Sequence, residues 1–182
     1  MKRLLPIALS ALAVAATVLA QTPEDAIQKA LLAAPRQMKA GATVIKWKPD
    51  FTYETLKKGT NHLVCYDRSG QPGQRPFAVE CTSIANLPRV AQNLKFEAIA
   101  DKAASKAVFE NAEKDGTRVK PEFGSVWIHM SGATEAEAHL HTTIAVPGAT
   151  AQSLGFPDSP AKGGEWIMNA GTSTAHLMTP GS

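Results

Sequence analysis

An α+β fold is predicted from the sequence: helices packed on a mainly antiparallel sheet, with one hairpin stapled by a disulfide. Three observations predict it. Apolar residues recur at helical spacing twice, near the N-terminus and in the middle of the chain. From Pro121 onward the chain turns to short strand-like segments, SVWIHMS, AHLHTTIAV, EWIMN and TAHLMT, with Gly, Pro and Ser between them. The two cysteines, Cys65 and Cys81, flank a turn-rich segment between the strand-like runs HLVCY and FAVEC.

The first twenty residues, MKRLLPIALSALAVAATVLA, read as a signal peptide, residues 1–20, cut after Ala20. Lys2 and Arg3 supply the positive start, and the run Leu4 to Leu19 is uncharged. That run is shorter than the ~20 apolar residues that span a bilayer, and Pro6 lies inside it. No cysteine near the cut marks a lipid attachment site, and no later stretch is apolar enough to span a membrane. The expectation is an exported protein, periplasmic or secreted, with residues 21–182 as one globular domain and no stable membrane insertion. The net charge of +3 includes Lys2 and Arg3, so the mature chain carries about +1. That balance argues against nucleic acid or an anionic membrane as partner.

Each element has its own justification. Thr22-Pro23-Glu24-Asp25 predicts a helix start: Thr22 as cap, Pro23 in the first turn and Asp25 closing a capping box. Ile27, Leu31 and Ala34 then share a face, and Pro35 with Gly41 ends the element. ATVIKWK, 42–48, predicts a strand with Ile45 and Trp47 on one face. Two cysteines in an oxidising compartment pair most simply as a Cys65–Cys81 disulfide, worth about 3 kcal/mol for a loop of this length. Neither a Cys-x-x-Cys redox pair nor a haem attachment motif occurs. Phe96, Ile99, Ala103 and Ala107 predict a central helix from about Leu87 or Asn93 to Lys114, stopped at Asp115-Gly116. Its polar face, with Lys95, Asp101, Lys102, Lys106 and Glu113, reads as solvated surface.

The candidate site lies in EAEAHLHTTIAVPG, 135–148. On a strand His139 and His141 point the same way, away from Leu140, Thr142, Ile144 and Val146. Pairing SVWIHMS with this strand through the GATEAE loop brings His129 onto the same surface. Near the end, STAHLMT puts His176 and Met178 on one face. Histidines so spaced suit zinc, copper or iron, so His129, His139, His141 and His176 are the candidate metal ligands. Spacing alone does not show that they converge, and a polar strand face without metal asks for less. His-x-His on a strand resembles the cupin barrel, but Ala145 and Val146 stand where cupins place a glutamate, and their second motif is not visible. Glu135 and Glu137 read as a solvated turn, and Glu165 is a weak candidate acid or base.

Other chemistry finds little support. The chain has no Gly-x-Ser-x-Gly elbow, phosphate loop, dinucleotide fingerprint or His-Glu-x-x-His. Ser159-Pro160-Ala161-Lys162 matches Ser-x-x-Lys but lies in a Pro/Gly loop without companion motifs. Trp47, Trp127 and Trp166 on strands read as core.

Lys58-Gly59-Thr60-Asn61 shortly before Cys65, and then Cys81, resembles the front half of a group of uncharacterised exported bacterial proteins. Residues 146–181 resemble their characteristic end: Pro-Gly-Ala-Thr, Gly-Gly-x-Trp-x-Met, Gly-Thr, then Ala-His-x-Met before a proline. The resemblance covers most of the mature chain. It implies export and a paired Cys65 and Cys81, and it singles out His176 and, less strongly, His141. It implies no activity. The functional expectation is therefore a binding protein for a metal or small polar ligand near the four histidines. A metal-dependent enzyme at the same face, or a structural or interaction module of the cell envelope, are the alternatives.

Overall fold

The computed structural model describes residues 22–160 and 163–179. The expected signal peptide lies outside the described residues, as do Ala161 and Lys162 of the Ser-x-x-Lys match. Helix α1 (Pro23–Ala30) starts as its sequence dictates: the Asp25 amide donates to Thr22 Oγ1 and the Thr22 amide to Asp25 Oδ2, both at 3.2 Å. A 3-10 turn (Leu31–Ala33) extends it before the chain enters the sheet.

Eight strands form one sheet: β1 (Thr43–Trp47), β2 (Tyr53–Lys57), β3 (Leu63–Asp67), β4 (Phe77–Ser83), β5 (Val126–Gly132), β6 (His139–Ala145), β7 (Trp166–Met168) and β8 (His176–Met178). Their order is β2-β1-β3-β4-β5-β6-β8-β7, antiparallel throughout except for the parallel pair β1 and β3. The α+β class, the mainly antiparallel sheet and the stapled hairpin are all present. Cys65 and Cys81 are direct cross-strand partners on β3 and β4, bonded with an S–S distance of 2.07 Å. Strand β2 was not among the elements expected.

The two faces are covered separately. Ala30, Leu31 and Ala33 pack on Val44, Leu63, Val79 and Ile128, and the disulfide lies in this layer. On the opposite face α2 (Leu87–Glu97) sets Leu87, Val90 and Leu94 against Ile45, Val64 and Tyr66, with Trp47 and Trp127 at the margin. The central helix expected as one piece is two. Helix α2 ends at Glu97, and α3 (Lys102–Lys114) restarts at Asp101, whose carboxylate accepts from the Ala104 amide at 2.7 Å. Asp101 is therefore an N-cap that breaks the helix, a role its side chain favours over a place in a helix interior. The short helix α4 (Ala151–Leu154) belongs to a third cluster, in which Val146, Ala149, Ile167 and Ala175 close the far end of the sheet. Among the described residues no helix is long and apolar enough to cross a membrane.

Candidate functional site

The register settles where the histidines stand. His129 on β5 is directly opposite His141 on β6, and Ser131 is opposite His139. The three share the α2 face of the sheet, as the alternation predicts. His176 on β8 is opposite Ala145, four residues along β6 from His141, which is roughly 13 Å at strand rise. His139 is exposed, and the others are half-buried. The four imidazoles thus lie on one face without gathering at one point. No set of three or more His, Cys, Asp or Glu side chains among the described residues is arranged to hold a metal ion. Glu165 is exposed, and Glu135 and Glu137 lie in the exposed β5–β6 turn.

A polar row crosses the sheet instead. Tyr66, Glu80, His129 and His141 are consecutive cross-strand partners on β3, β4, β5 and β6. Glu80 accepts from the Trp127 indole at 2.9 Å and from Arg68 at 3.2 Å. Arg68 is buried and also donates to Glu97 of α2 at 2.5 Å and to Gln71 at 2.6 Å. Burial raises the Glu97 carboxyl above its ordinary value, with the Arg68 charge working against it. Burial, helped by the Glu80 charge, lifts the Tyr66 phenol well above its usual range. Burial likewise holds His129 below its ordinary value; Arg68 and His141 add to this and Glu80 opposes it. The Tyr66 hydroxyl and His129 Nε2 are buried without a formed hydrogen bond among the described residues. The row thus sets a phenol and an imidazole, each disfavoured by burial from taking its charged form, on either side of Glu80, which Trp127 and Arg68 hold. That arrangement braces α2 to the sheet through Arg68.

The next row leads to a cavity. Trp127 faces Thr143 across β5 and β6, and Thr143 faces Met178 on β8. Between this end of the sheet and α2, α3 and the 115–121 segment lies a cavity of about 320 Å³. Its wall includes Trp127, Thr143, His176, Phe109 and two arginines, Arg89 and Arg118. Both arginines are buried, at 4% and 6% exposure. Arg89 Nη1 donates to the Val119 carbonyl and, at 3.0 Å, to Ser173 Oγ. Arg118 donates to the side-chain oxygens of Gln92 and Asn93 and lies 4.8 Å over the Phe109 ring. His176 Nδ1 is 2.7 Å from the Thr174 carbonyl, which can only accept, so that nitrogen is the donor of this bond. Larger clefts of about 550 to 570 Å³ lie elsewhere, but no fully buried charged side chain lines them.

Of the four predicted histidines, the cavity takes only His176. Sequence reasoning missed Arg89 and Arg118 altogether. The available signal was an arginine among the apolar residues of α2, since Arg89 sits between Leu87 and Val90.

The motifs behind the family resemblance have structural work to do. Gly59 donates to Thr43 Oγ1, the Thr60 and Asn61 amides both donate to the Gly41 carbonyl, and Asn61 Nδ2 reaches the Met38 carbonyl at 2.8 Å. At the other end, Val146 donates to Ala175, Gly148 to Thr172 and Gly171 to Ala149, which meshes the two C-terminal loops. Compared with protein-family models, curated proteins and solved structures, the chain matches none.

Proposed function

We propose that this chain is an exported binding protein for a small polar ligand, seated in the cavity between α2 and the β5–β6–β8 end of the sheet. One observation carries the reading: two buried guanidinium groups line a cavity that also has apolar walls and a histidine. Concave sites with apolar walls and a few fixed polar groups are the common form of a small-molecule site. The signal peptide expected over residues 1–20 and the resemblance to exported proteins support export. The metal version of the reading has less behind it, because His129 and His141 make only one pair of neighbouring imidazoles and a structural or catalytic zinc takes three or four protein ligands.

The test is a thermal-stability screen of Gln21–Ser182, with the disulfide formed, against small polar compounds of each charge. A true ligand at a hundredfold excess over its Kd adds about 2.7 kcal/mol of stability. Thr143→Phe fills the cavity mouth and abolishes that gain while leaving the unliganded protein folded. A ligand whose effect survives Thr143→Phe, or a screen in which nothing binds, would sink the reading. Metal analysis of the same preparation is expected to give no stoichiometric zinc, copper or iron. Metal that disappears in a His129→Ala, His141→Ala double variant would restore the metal version.

A second reading, an interaction module of the envelope, rests on a separate apolar cleft of about 550 Å³ where Tyr53 and Ile84 are 45% and 40% exposed beside Trp47 and Phe51. Tyr53→Ser with Ile84→Ser would then release the protein from envelope fractions without touching ligand binding.

A further inference from the structure

We infer that the ligand of this cavity is a small organic carboxylate gripped by Arg89 and Arg118. The inference rests on the cavity being a binding site, as proposed above, and adds the ligand's charge and class.

Charge comes first. Neither arginine has a carboxylate within ion-pair distance among the described residues; the ion pairs there involve Lys29, Arg68 and Lys106. The partners of Arg89 and Arg118 are a backbone carbonyl, a hydroxyl and two amide oxygens. Such partners satisfy donors but do not cancel charge. One nearby acid is Glu113, whose two oxygens both accept from Ser173, at 2.5 Å each, and which stands outside the cavity wall. Glu97, already paired with Arg68, also acts on Arg118, so the two buried cations draw on two acids, neither of them in ion-pair contact with either arginine. Buried charges are ordinarily paired, and an uncompensated one costs stability. Arg89 shows the imbalance: burial, with the Arg118 charge added, pushes it down to about 10 even though Glu113 pulls the other way. A bound anion relieves that imbalance.

Geometry and size narrow the class. Arg118 lies 4.8 Å from the Phe109 ring centre and 5.6 Å from that of Phe96, and its partners Gln92 and Asn93 hold the fork in place. Among the described residues, both hydrogen bonds from Arg89 leave through Nη1, and its other nitrogens have no partner there. Fixed planar forks suit a carboxylate or a phosphate. The walls decide between them. Trp127, Phe109, Pro121 and Ala145 offer apolar surface that inorganic phosphate would leave uncovered, whereas an organic acid covers it with its carbon body. A volume of about 320 Å³ is at the lower end for small-molecule sites.

The experiment is calorimetric titration of Gln21–Ser182 with small mono- and dicarboxylates, benzoate and succinate among them, set against their matched amides and inorganic phosphate. A carboxylate is expected to bind at least about tenfold more tightly than its amide, since a charge-assisted bond is roughly twice as strong as a neutral one. Arg118→Gln should weaken it by about the same factor. Because Arg118 also ties α2 to the 115–121 segment, that variant has a companion measurement on the unaltered protein. In side-chain nitrogen NMR of ¹⁵N-arginine protein, the Arg89 and Arg118 signals must move on adding the carboxylate. Amides binding as well as acids would overturn the charge assignment and leave the polar-ligand reading standing. Phosphate binding in preference to every carboxylate would overturn the class. Silence from acids, amides and phosphate alike would remove both the inference and the reading beneath it.

Discussion

His129 carries the clearest pH consequence at the scale of single residues. Its folded-state pKa is lowered, by burial first and then by Arg68 and His141, against the pull of Glu80. Below the ordinary value of about 6.5 the unfolded chain takes up a proton that the folded chain still refuses, so stability falls as pH drops through that window. Glu97 acts in the opposite sense at lower pH, because its raised value lets the folded state hold a proton that the unfolded state has lost. Chemical denaturation of wild type and His129→Gln from pH 7 to pH 5 should show the slope in wild type and a flatter line in the variant; equal slopes would remove His129 as the cause. Asn86 tests packing of a different kind. It is fully buried, donates to Thr82 and Ser125 at 2.8 and 2.9 Å, and accepts the Glu122 amide at 2.7 Å. Asn86→Ala removes all three bonds and leaves the Glu122 amide without its acceptor, while Thr82 and Ser125 keep their bonds to the Val126 and Glu122 carbonyls; it should cost about 2 kcal/mol in urea denaturation. Single residues also mark the limit of what the sequence told. The alternation of AHLHTTIAV was enough to place His139 and His141 on one face, whereas the Arg89–Ser173 contact joins positions 84 apart, far beyond any local pattern.

At the scale of elements, legibility followed how local the determining contact is. The capping box of α1 joins residues three apart, and the turn-rich segment between the cysteines fixes its own hairpin; both were readable. The break between α2 and α3 was missed because the apolar spacing of Phe96, Ile99 and Ala103 runs on through it, and only the Asp101 cap distinguishes two helices from one. Strand β2 was missed because its pattern is mostly exposed, as an edge strand permits. The clasp at Gly59 gives an element-scale prediction. A Cβ there would stand 2.4 Å from the Gly41 carbonyl oxygen and the Thr43 nitrogen, both backbone atoms that cannot step aside. Gly59→Ala should therefore destabilise by about 3 kcal/mol or more, visible as a lower Tm, and a neutral result would mean that the β2–β3 loop yields more easily than its hydrogen bonds suggest.

For the molecule as a whole, the sheet has two unlike halves. The β1-β3-β4 half is packed on both faces, under α1 on one side and α2 on the other, and the Arg68–Glu80–Glu97 cluster is its charged part. The β5-β6-β8 half is where polar side chains and the arginine-lined cavity face α2 and α3. Denaturation reports on the first half, and ligands should report on the second. Filling the cavity with Thr143→Phe ought to leave the urea midpoint of the unliganded protein nearly unchanged, within about 0.5 kcal/mol. A large loss there would mean that the cavity wall is part of the core. The Cys65–Cys81 bond belongs to the apolar layer under α1, and both residues are 0% exposed. Thiol–disulfide exchange needs a thiolate to reach one of the sulfurs, and in the folded chain none can. Reduction must then wait for the centre of the sheet to part, so its rate should stop rising once dithiothreitol is in excess. The plateau would be a stopwatch on unfolding itself, and a rate that kept climbing with reductant would reveal a smaller door. A chain with such a bond records the conditions under which it folded and is insulated afterwards from the redox changes around it.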